Sequence, residues 1–511
     1  MKKSTAALIL LAGILLGAAI AIPLMRVTEK NRLLASKYED WLKLSVIMQK
    51  IDEMYVDSVD HEKVTDAAVD AALGALDPHS VYMLPQTLEE TSEELAGNFS
   101  GIGIQFNVPN DTAIVIEAIS GGPAERVGMQ AGDRLLKVDD KPIAGISFPQ
   151  DSMVRLMKGP TGTKVTVTVS RGGEVIPFEI VRGRIPTHSV DASFMVSDSV
   201  GFIRLSKFSR TTAQEFIKAA LALKGEGASH LMVDLRDNGG GYMDQALILS
   251  NLFLSRGKLI VYMEGRKYPR QETHADGSGV LQDMGLTMLV SEGSASSSEI
   301  FAGAMQDNGR ATLVGRRTFG KGLVQEPVDF KDGSGIRITV ARFYTPSGRC
   351  IQKAYDTYDE DFYNRYEHGE MLAADSMRVE SGGIVPDIFV PIDTTKVGPF
   401  YIACNRKATA VRFSSAWFDK HKSELQAITE YDELLRYLDG ADLENRFLAF
   451  ASSRDGLAPK GEEWTVERPY MMAQVRALVG RYSKLGDNAF YHLYLDTDTV
   501  YKAAIEALTE Q

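Results

Sequence analysis

The pattern of apolar and polar positions divides the chain into stretches of distinct texture. Lys2 and Lys3 precede an uncharged run from Ser4 to Met25, whose apolar part, Ala6–Met25, is 20 residues long. As a helix such a run spans about 30 Å, the thickness of a bilayer core. It has no polar face, which a helix buried in a soluble domain normally carries. A cleaved export signal is the competing reading, because Ala19-Ile20-Ala21 has the spacing of a cleavage site and Pro23 follows it. The apolar region of such signals is usually about 7–15 residues, shorter than this run, which favours an uncleaved anchor. Residues 1–26 are therefore expected to be a membrane anchor or signal peptide, with the remaining chain exported.

From about residue 27 to 97 the period is helical. Leu44, Ile47, Ile51 and Tyr55 form one apolar stripe, and a second helix over Val64–Leu76 stops at Asp77-Pro78. The texture changes at Ser100, where short β-branched runs alternate with glycine turns. Ala113–Ala118 and Val165–Ser170 read as strands, and Pro123–Val127 as a short helix ended by Gly128. Residues 98–185 thus form a compact β-rich domain. Strands and helices then alternate over 186–397. Leu231–Leu235, Met288–Val290 and Thr312–Val314 are buried-strand runs, and Ala213–Leu223, Asp244–Leu254 and Ser298–Asp307 are helical. Such alternation implies an α/β layered domain. Residues 398–511 are helical and charged again, with Trp417, Leu425, Leu434 and Leu435 as core candidates. The fold class expected is α+β multidomain.

Composition narrows the functional classes. The 511 residues carry 56 Lys+Arg against 68 Asp+Glu, a net charge of −12. Phosphate backbones are bound by clustered Lys and Arg, so no nucleic-acid partner is expected. Two cysteines, Cys350 and Cys404, exclude a disulfide-built scaffold and a cysteine-based zinc module; whether they pair stays open. There is no His-Glu-x-x-His, and neither a metal nor another cofactor is expected.

Four constellations could carry chemistry. Ser100-Gly101-Ile102-Gly103-Ile104 frees backbone N–H groups to meet an anion such as a carboxylate, beside a strand edge able to take an extended peptide. Ser291–Ser298 is a serine-rich turn between an apolar strand and a helix, where a hydroxyl is exposed near free N–H groups; an ordinary helix cap by Ser298 is the plainer alternative, and composition cannot choose among the serines. Thr318–Gln325 holds Lys321 between two glycines. A free lysine, with a pKa of about 10.4, is a poor base. Burial favours the neutral amine, which can deprotonate a serine; a surface lysine is again the plainer reading. Asp234–Gly241 follows a buried strand, where α/β folds place binding loops.

The series from Gly101 through Gly122-Pro123-Ala124 to Gly128-Met129-Gln130-Ala131-Gly132-Asp133-Arg134-Leu135-Leu136 resembles a PDZ domain, with Gly101, Ile102, Gly103 and Ile104 as its carboxylate loop. Taken together, the ordered motifs resemble the carboxyl-terminal processing peptidases, or tail-specific proteases, from about Leu44 to at least Asp387. They include Leu76–Ser80, Gly201–Phe208, Asp234–Gly241, Ser294–Asp307, Thr318–Gln325, Phe343–Arg349 and Gly383–Asp387. The resemblance implies a crotonase-like α/β protease core and a serine/lysine dyad. Ser296 would be the nucleophile, Lys321 the general base and Gln325 its orienting partner. Backbone N–H groups of Gly240 or Gly241 and of Ser297 would hold the oxyanion. It departs from the family at Gly239, where proline is common, and at Ser297, where alanine is common. The expected function is a serine endopeptidase that selects C-terminal tails of exported proteins through its PDZ domain. The expected location is the cell envelope, on the periplasmic side of the inner membrane. A PDZ scaffold with an inactive or gated protease domain is the alternative. A homodimer and an activating adaptor remain open partners.

Two further rivals are weaker. Gly315–Lys321 nearly completes a phosphate-binding loop, but Gly322 replaces the hydroxyl residue that meets Mg²⁺. A histidine-based hydrolase could draw on His79, His188 or His230, yet no Gly-x-Ser-x-Gly elbow accompanies them.

Overall fold

The computed structural model describes residues 39–509, apart from 109–110, 120, 357, 359, 374–381 and 394–397. The apolar run Ala6–Met25 lies outside the described residues, and among those described no helix is long and apolar enough to cross a membrane. The chain forms two units, residues 1–75 and 76–511. In the first, helix Glu39–Met54 is followed by helix His61–Gly74, which Asp60 caps by accepting the Lys63 N–H at 3.1 Å. The apolar stripe is largely exposed at Leu44, Ile47 and Tyr55.

The second unit is organised around a six-stranded sheet, in the order Val190–Met195, Val200–Leu205, His230–Asp234, Gly285–Val290, Thr312–Gly315 and Ile388–Phe389. Its first pair is antiparallel and the rest are parallel. Side chains alternate between the two faces, as strand geometry requires. Ile203, Leu231, Val233, Met288 and Leu313 join a core with Phe216, Leu249 and Phe301 from helices Thr212–Gly225, Met243–Phe253 and Ser297–Asp307. Phe202, Met232, Leu289 and Val314 face the other way and pack against Val500, Tyr501 and Ala504 of helix Thr499–Thr509. The last helix therefore covers one face of the central sheet, so a boundary at 397/398 separates it from the layer it completes. Its apolar residues look like those of any amphipathic helix, which hides this destination from sequence.

A second sheet runs Val81–Met83, Gly335–Tyr344, Leu259–Glu264 and Gln271–His274, with Leu323–Asp329 also paired to Gly335–Tyr344. The helical expectation for residues 27–97 thus meets a strand at Val81–Met83. Three residues are too few to show a period, and the pairing partner lies some 250 positions on. The chain next makes helix Pro85–Ala96, leaves through Asn98–Gly101 and returns through Gly183–Pro186. These two segments pair antiparallel, with Gly101 opposite Gly183. Between them lies the β-rich insert, with strands Ile104–Asn107, Ile114–Ala118, Arg134–Val138, Lys164–Arg171 and Glu174–Val181 in that order, and helix Gln150–Met157. Its core includes Val115, Leu135, Met153, Val167 and Ile180.

The C-terminal helices have their own core around Phe413, Trp417, Leu434, Phe447 and Val475, against which Ile116 and Ala131 of the insert also pack. Asp419 pairs with Arg134 at 2.7 Å, and Lys422 Nζ donates to the Ala131 carbonyl at 2.6 Å. Cys350 and Cys404 are free thiols, the second buried.

Behind residues 317–321 lies a buried ionic cluster. Arg317, 1 % exposed, donates Nη2 to Glu370 Oε2 at 2.9 Å, and Arg365 donates Nε to Glu370 Oε1 at 2.9 Å. Arg365 Nη2 also donates to the Arg317 carbonyl at 2.6 Å. Glu370 is the carboxylate shared by two guanidinium groups in a dry environment, so removing it leaves two like charges facing each other. Glu370→Ala is expected to destabilise this unit by about 3–5 kcal/mol. A thermal melt measures it, and a melting temperature equal to the wild type would show that the cluster does not support the fold.

Candidate active site

Strand Gly285–Val290 delivers the serine-rich turn, and helix Ser297–Asp307 carries the chain away. The turn is fastened to the neighbouring loop on strand His230–Asp234. Ser294 Oγ donates to the Leu235 carbonyl at 2.7 Å, and the Asn238 carbonyl accepts both the Ala295 N–H at 3.0 Å and Ser298 Oγ at 2.8 Å. The Ser298 hydroxyl is thus a tether between loops. The helix cap is Ser296, whose backbone sits at φ 57° and ψ −115°. A non-glycine residue in that region is strained, and such strain persists only where the surroundings impose it.

Glu299 is the residue that imposes it. It lies three positions into the helix, fully buried, and its Oε2 accepts the N–H of Ser296 and the N–H of Lys321, each at 2.9 Å. Its Oε1 accepts the Gly320 N–H at 2.8 Å and the Thr318 hydroxyl. Phe319 N–H adds a bond to the Ser294 carbonyl at 3.0 Å. One carboxylate therefore joins the main chains of Ser296 and Lys321. Burial raises the Glu299 carboxyl above its ordinary range, and the four donors counter that.

Lys321 is half-buried. Burial and the nearby Arg337 guanidinium lower its ammonium below the ordinary lysine value, while Glu299 and Asp77 oppose them. Among the described residues its Nζ has no hydrogen-bond or ion-pair partner, and no hydrogen bond joins the Ser296 and Lys321 side chains. Strand Leu323–Asp329 follows Lys321 directly, whereas a phosphate-binding loop opens a helix.

Gln325 Nε2 donates to the His79 carbonyl, so the structure places this amide on the segment preceding the insert. There the Asp77 carboxylate accepts from the N–H groups of His79 and Ser80, at 2.9 and 2.8 Å, and from Ser80 Oγ at 2.7 Å. Burial, with the positive charge of Lys321, pushes the His79 imidazole down to about 4. The ring is therefore neutral at neutral pH, and it bonds the Tyr358 hydroxyl. His188 is largely exposed, and His230 bonds Thr287 at 2.9 Å.

The glycine loop reaches the serine turn closely. A Cβ on Gly240 would stand 2.8 Å from Ser296 Cβ, and one on Gly241 would stand 2.1 Å from the Phe208 carbonyl oxygen. Both positions also have positive φ, 94° and 143°, so only glycine fits. The Gly240 N–H donates to Asn238 Oδ1 at 2.9 Å. The N–H groups of Gly241 and Ser297 have no partner among the described residues, while the Ser297 hydroxyl donates to the Gly241 carbonyl at 2.9 Å.

In the insert, the Ile102 and Gly103 carbonyls accept from Ala124 and Ile119 N–H at 2.8 and 3.0 Å. Gly103 has φ 77°, and a Cβ there would meet Ile185 at 2.8 Å. Strand Ile104–Asn107 lies at the end of its sheet, leaving one edge without a strand partner among the described residues.

Two features of the site depend on partners distant in sequence. Glu299 follows Ser296 at the S-x-x-E spacing of a capping box, a visible signal; its reach to Lys321 was not visible. Asp77 and His79 stood in a recognised motif with nothing to place them beside Lys321.

Comparison with known proteins gives two family matches along the chain. Residues 199–362 match peptidase family S41, and residues 100–181 match the PDZ domain family. A probable CtpA-like serine protease of Staphylococcus aureus (strain N315) is 36 % identical over 311 residues, which are 60 % of this chain and 62 % of that protein. The chain thus spans less than two thirds of that relative's length. A protein of the same description from Staphylococcus haemolyticus (strain JCSC1435) is 33 % identical over 345 residues, 67 % of this chain and 68 % of the relative. Among solved structures, the photosystem II D1 C-terminal processing protease is 26 % identical, covering 69 % of this chain and 86 % of its own, with a TM-score of 0.38. With its match to the family over residues 199–362 and a relative one third identical over two thirds of that relative's length, the chain belongs to peptidase family S41.

Proposed function

We propose that this protein is an exported serine endopeptidase. Its PDZ domain takes up the C-terminal tail of a polypeptide, and Ser296 and Lys321 cleave the chain through an acyl-enzyme. The observation that carries the reading is the Glu299 carboxylate, which takes the main-chain N–H groups of both Ser296 and Lys321 on one oxygen. Ser296 Oγ adds to the scissile carbonyl while the neutral Lys321 amine accepts its proton. The same ammonium then protonates the departing amine, and water repeats the sequence to release the acyl group. Gly241 and Ser297 N–H are the donors we assign to the oxyanion, because Gly240 N–H already serves Asn238. In the PDZ domain, N–H groups of the Gly101–Ile104 loop would meet the tail's carboxylate, and the open edge of Ile104–Asn107 would accept its backbone as an added strand. The apolar run Ala6–Met25 supports location at the cell envelope by an inner-membrane anchor.

The test uses an unfolded protein with an apolar C-terminal tail, incubated with residues 27–511 without metal or nucleotide, and follows fragments by mass spectrometry. Cleavage is expected from the wild type and lost in Ser296→Ala and Lys321→Ala. Cleavage that survives both substitutions would refute the dyad. The scaffold alternative requires no cleavage by any form.

Two finer predictions follow from the electrostatics. Lys321 acts as a base only when neutral, so kcat is expected to rise with pH through its ionisation. Arg337 lowers that ionisation. Arg337→Met is therefore expected to move the rising limb to higher pH; an unmoved limb in a pH–rate profile would remove Lys321 as the titrating base. Glu299→Gln replaces two acceptor oxygens by one oxygen and an NH₂ group that faces N–H donors. It is expected to lower kcat about 100-fold through misplacement of Ser296 and Lys321, and steady-state kinetics on the folded variant measure this.

A further inference from the structure

The C-terminal region makes a second, more pointed contact with the catalytic layer than the apolar cover described above. Asp498 caps helix Thr499–Thr509, its Oδ1 accepting the Tyr501 N–H at 2.8 Å. Both of its carboxylate oxygens also accept from Arg236 Nη1, at 2.8 and 2.7 Å. The other side of that guanidinium belongs to Asp234. Nε donates to Asp234 Oδ1 at 2.9 Å, Nη2 donates to Oδ2 at 2.8 Å, and the Arg236 N–H donates to Oδ1 at 3.0 Å. Asp234 is fully buried at the end of its strand, and it also accepts from Arg204 Nη1 at 2.9 Å. Arg236 is thus gripped by two carboxylates, one two residues away and one 262 residues away.

What Arg236 leads into explains why the grip matters. The chain turns at Asp237, with φ 61°, into Asn238. The Asn238 side chain donates to the Leu205 carbonyl at 2.8 Å and accepts from Gly240 N–H, and its carbonyl receives the two donors from the serine turn. Gly239, Gly240 and Gly241 follow. Three consecutive glycines have the greatest backbone freedom available, so this loop depends on contacts that tie it down. Asn238, the serine turn and the Phe208–Gly241 bridge tie the loop to its surroundings, and Arg236 fixes the end of the strand from which it departs.

We propose that Asp498 is a positioning residue for the glycine loop. By holding Arg236 it sets the place where the loop presents N–H groups to the oxyanion formed at Ser296. The C-terminal region is then part of the active-site scaffold. This inference rests on the serine-peptidase reading.

The test compares full-length wild type, D498N, D498E and V500A. Asparagine caps a helix about as well as aspartate, so D498N keeps the cap and removes the charge that Arg236 needs. Val500 lies in the same helix and packs into the apolar core against the sheet, and V500A serves as the structural control. Each form is assayed for kcat and KM on a fluorogenic peptide, for inhibition by a peptide aldehyde that forms a hemiacetal with Ser296, and for its melting temperature. D498N is expected to lose about tenfold or more in kcat with KM within about twofold, and to bind the aldehyde more weakly in parallel. D498E is expected to recover most of the rate. V500A is expected to melt lower yet keep its kcat. A D498N enzyme with wild-type kcat overturns the proposal. So does a V500A enzyme that loses as much rate as D498N at the same melting temperature. Should D498N not fold, D498S, which also caps, takes its place in the same comparison. A wild type that neither cleaves the peptide nor binds the aldehyde would instead overturn the peptidase reading itself, and this inference with it.

Discussion

A single buried carboxylate sets the terms for the rest of the site. An ionised side chain removed from water is tolerated only when its acceptor sites are filled, and a carboxylate has about four of them. Glu299 fills its sites with Ser296 N–H, Lys321 N–H, Gly320 N–H and the Thr318 hydroxyl. None of these donors can move without leaving a lone pair unmet in a dry interior. The strained backbone at Ser296 is held by that requirement, and so is the position of a lysine whose own amine carries no bond. The carboxyl group that organises the site binds the main chain at Ser296 and Lys321 and hydrogen-bonds neither the hydroxyl nor the amine.

Around this anchor the molecule assembles pieces from distant parts of the chain. The turn at Asp77–Ser80 comes from before the insert, the glycine loop and the serine turn come from neighbouring parallel strands, and the lysine loop is backed by Arg317, Arg365 and Glu370. Parallel strands bring their loops to one end of a sheet, which is why binding loops gather there. The lysine loop needs its ionic backing because it enters a strand directly and has no helix of its own to stiffen it. The neutral His79 ring adds no charge to the one that Arg337 already places near Lys321.

What could be read along the chain follows from how local each signal is. Leu231–Val233 and Met288–Val290 are apolar without interruption because both faces of their strands are covered, and that burial is written in the residues themselves. The serine turn and the glycine loop announce themselves by composition. The S-x-x-E spacing of Ser296 and Glu299 was equally visible, yet it reads as an ordinary helix cap until the loop at Lys321 is seen to share the same oxygen. Gln325 shows the opposite limit: its place in a motif suggested a lysine partner, and its amide meets the His79 carbonyl, 246 residues away. The strand at Val81–Met83 and the Arg236–Asp498 pair lie beyond local reading, because each depends on a partner hundreds of positions distant.

The ribbon that closes the PDZ domain has a consequence for how such a molecule can change. Asn98–Gly101 and Gly183–Pro186 run side by side, so the domain enters and leaves through one narrow neck. The strand Val81–Met83 that precedes it and the strands that follow it pair with one another without passing through its interior. A segment tethered in this way behaves as a cassette, since chain ends that lie together can accept or release a whole domain while the host keeps its register. The insert and the peptidase core can therefore drift in sequence at different speeds. A lineage could trade one such cassette for another on the same core, provided that the newcomer still offers a footing for Asp419 and Lys422.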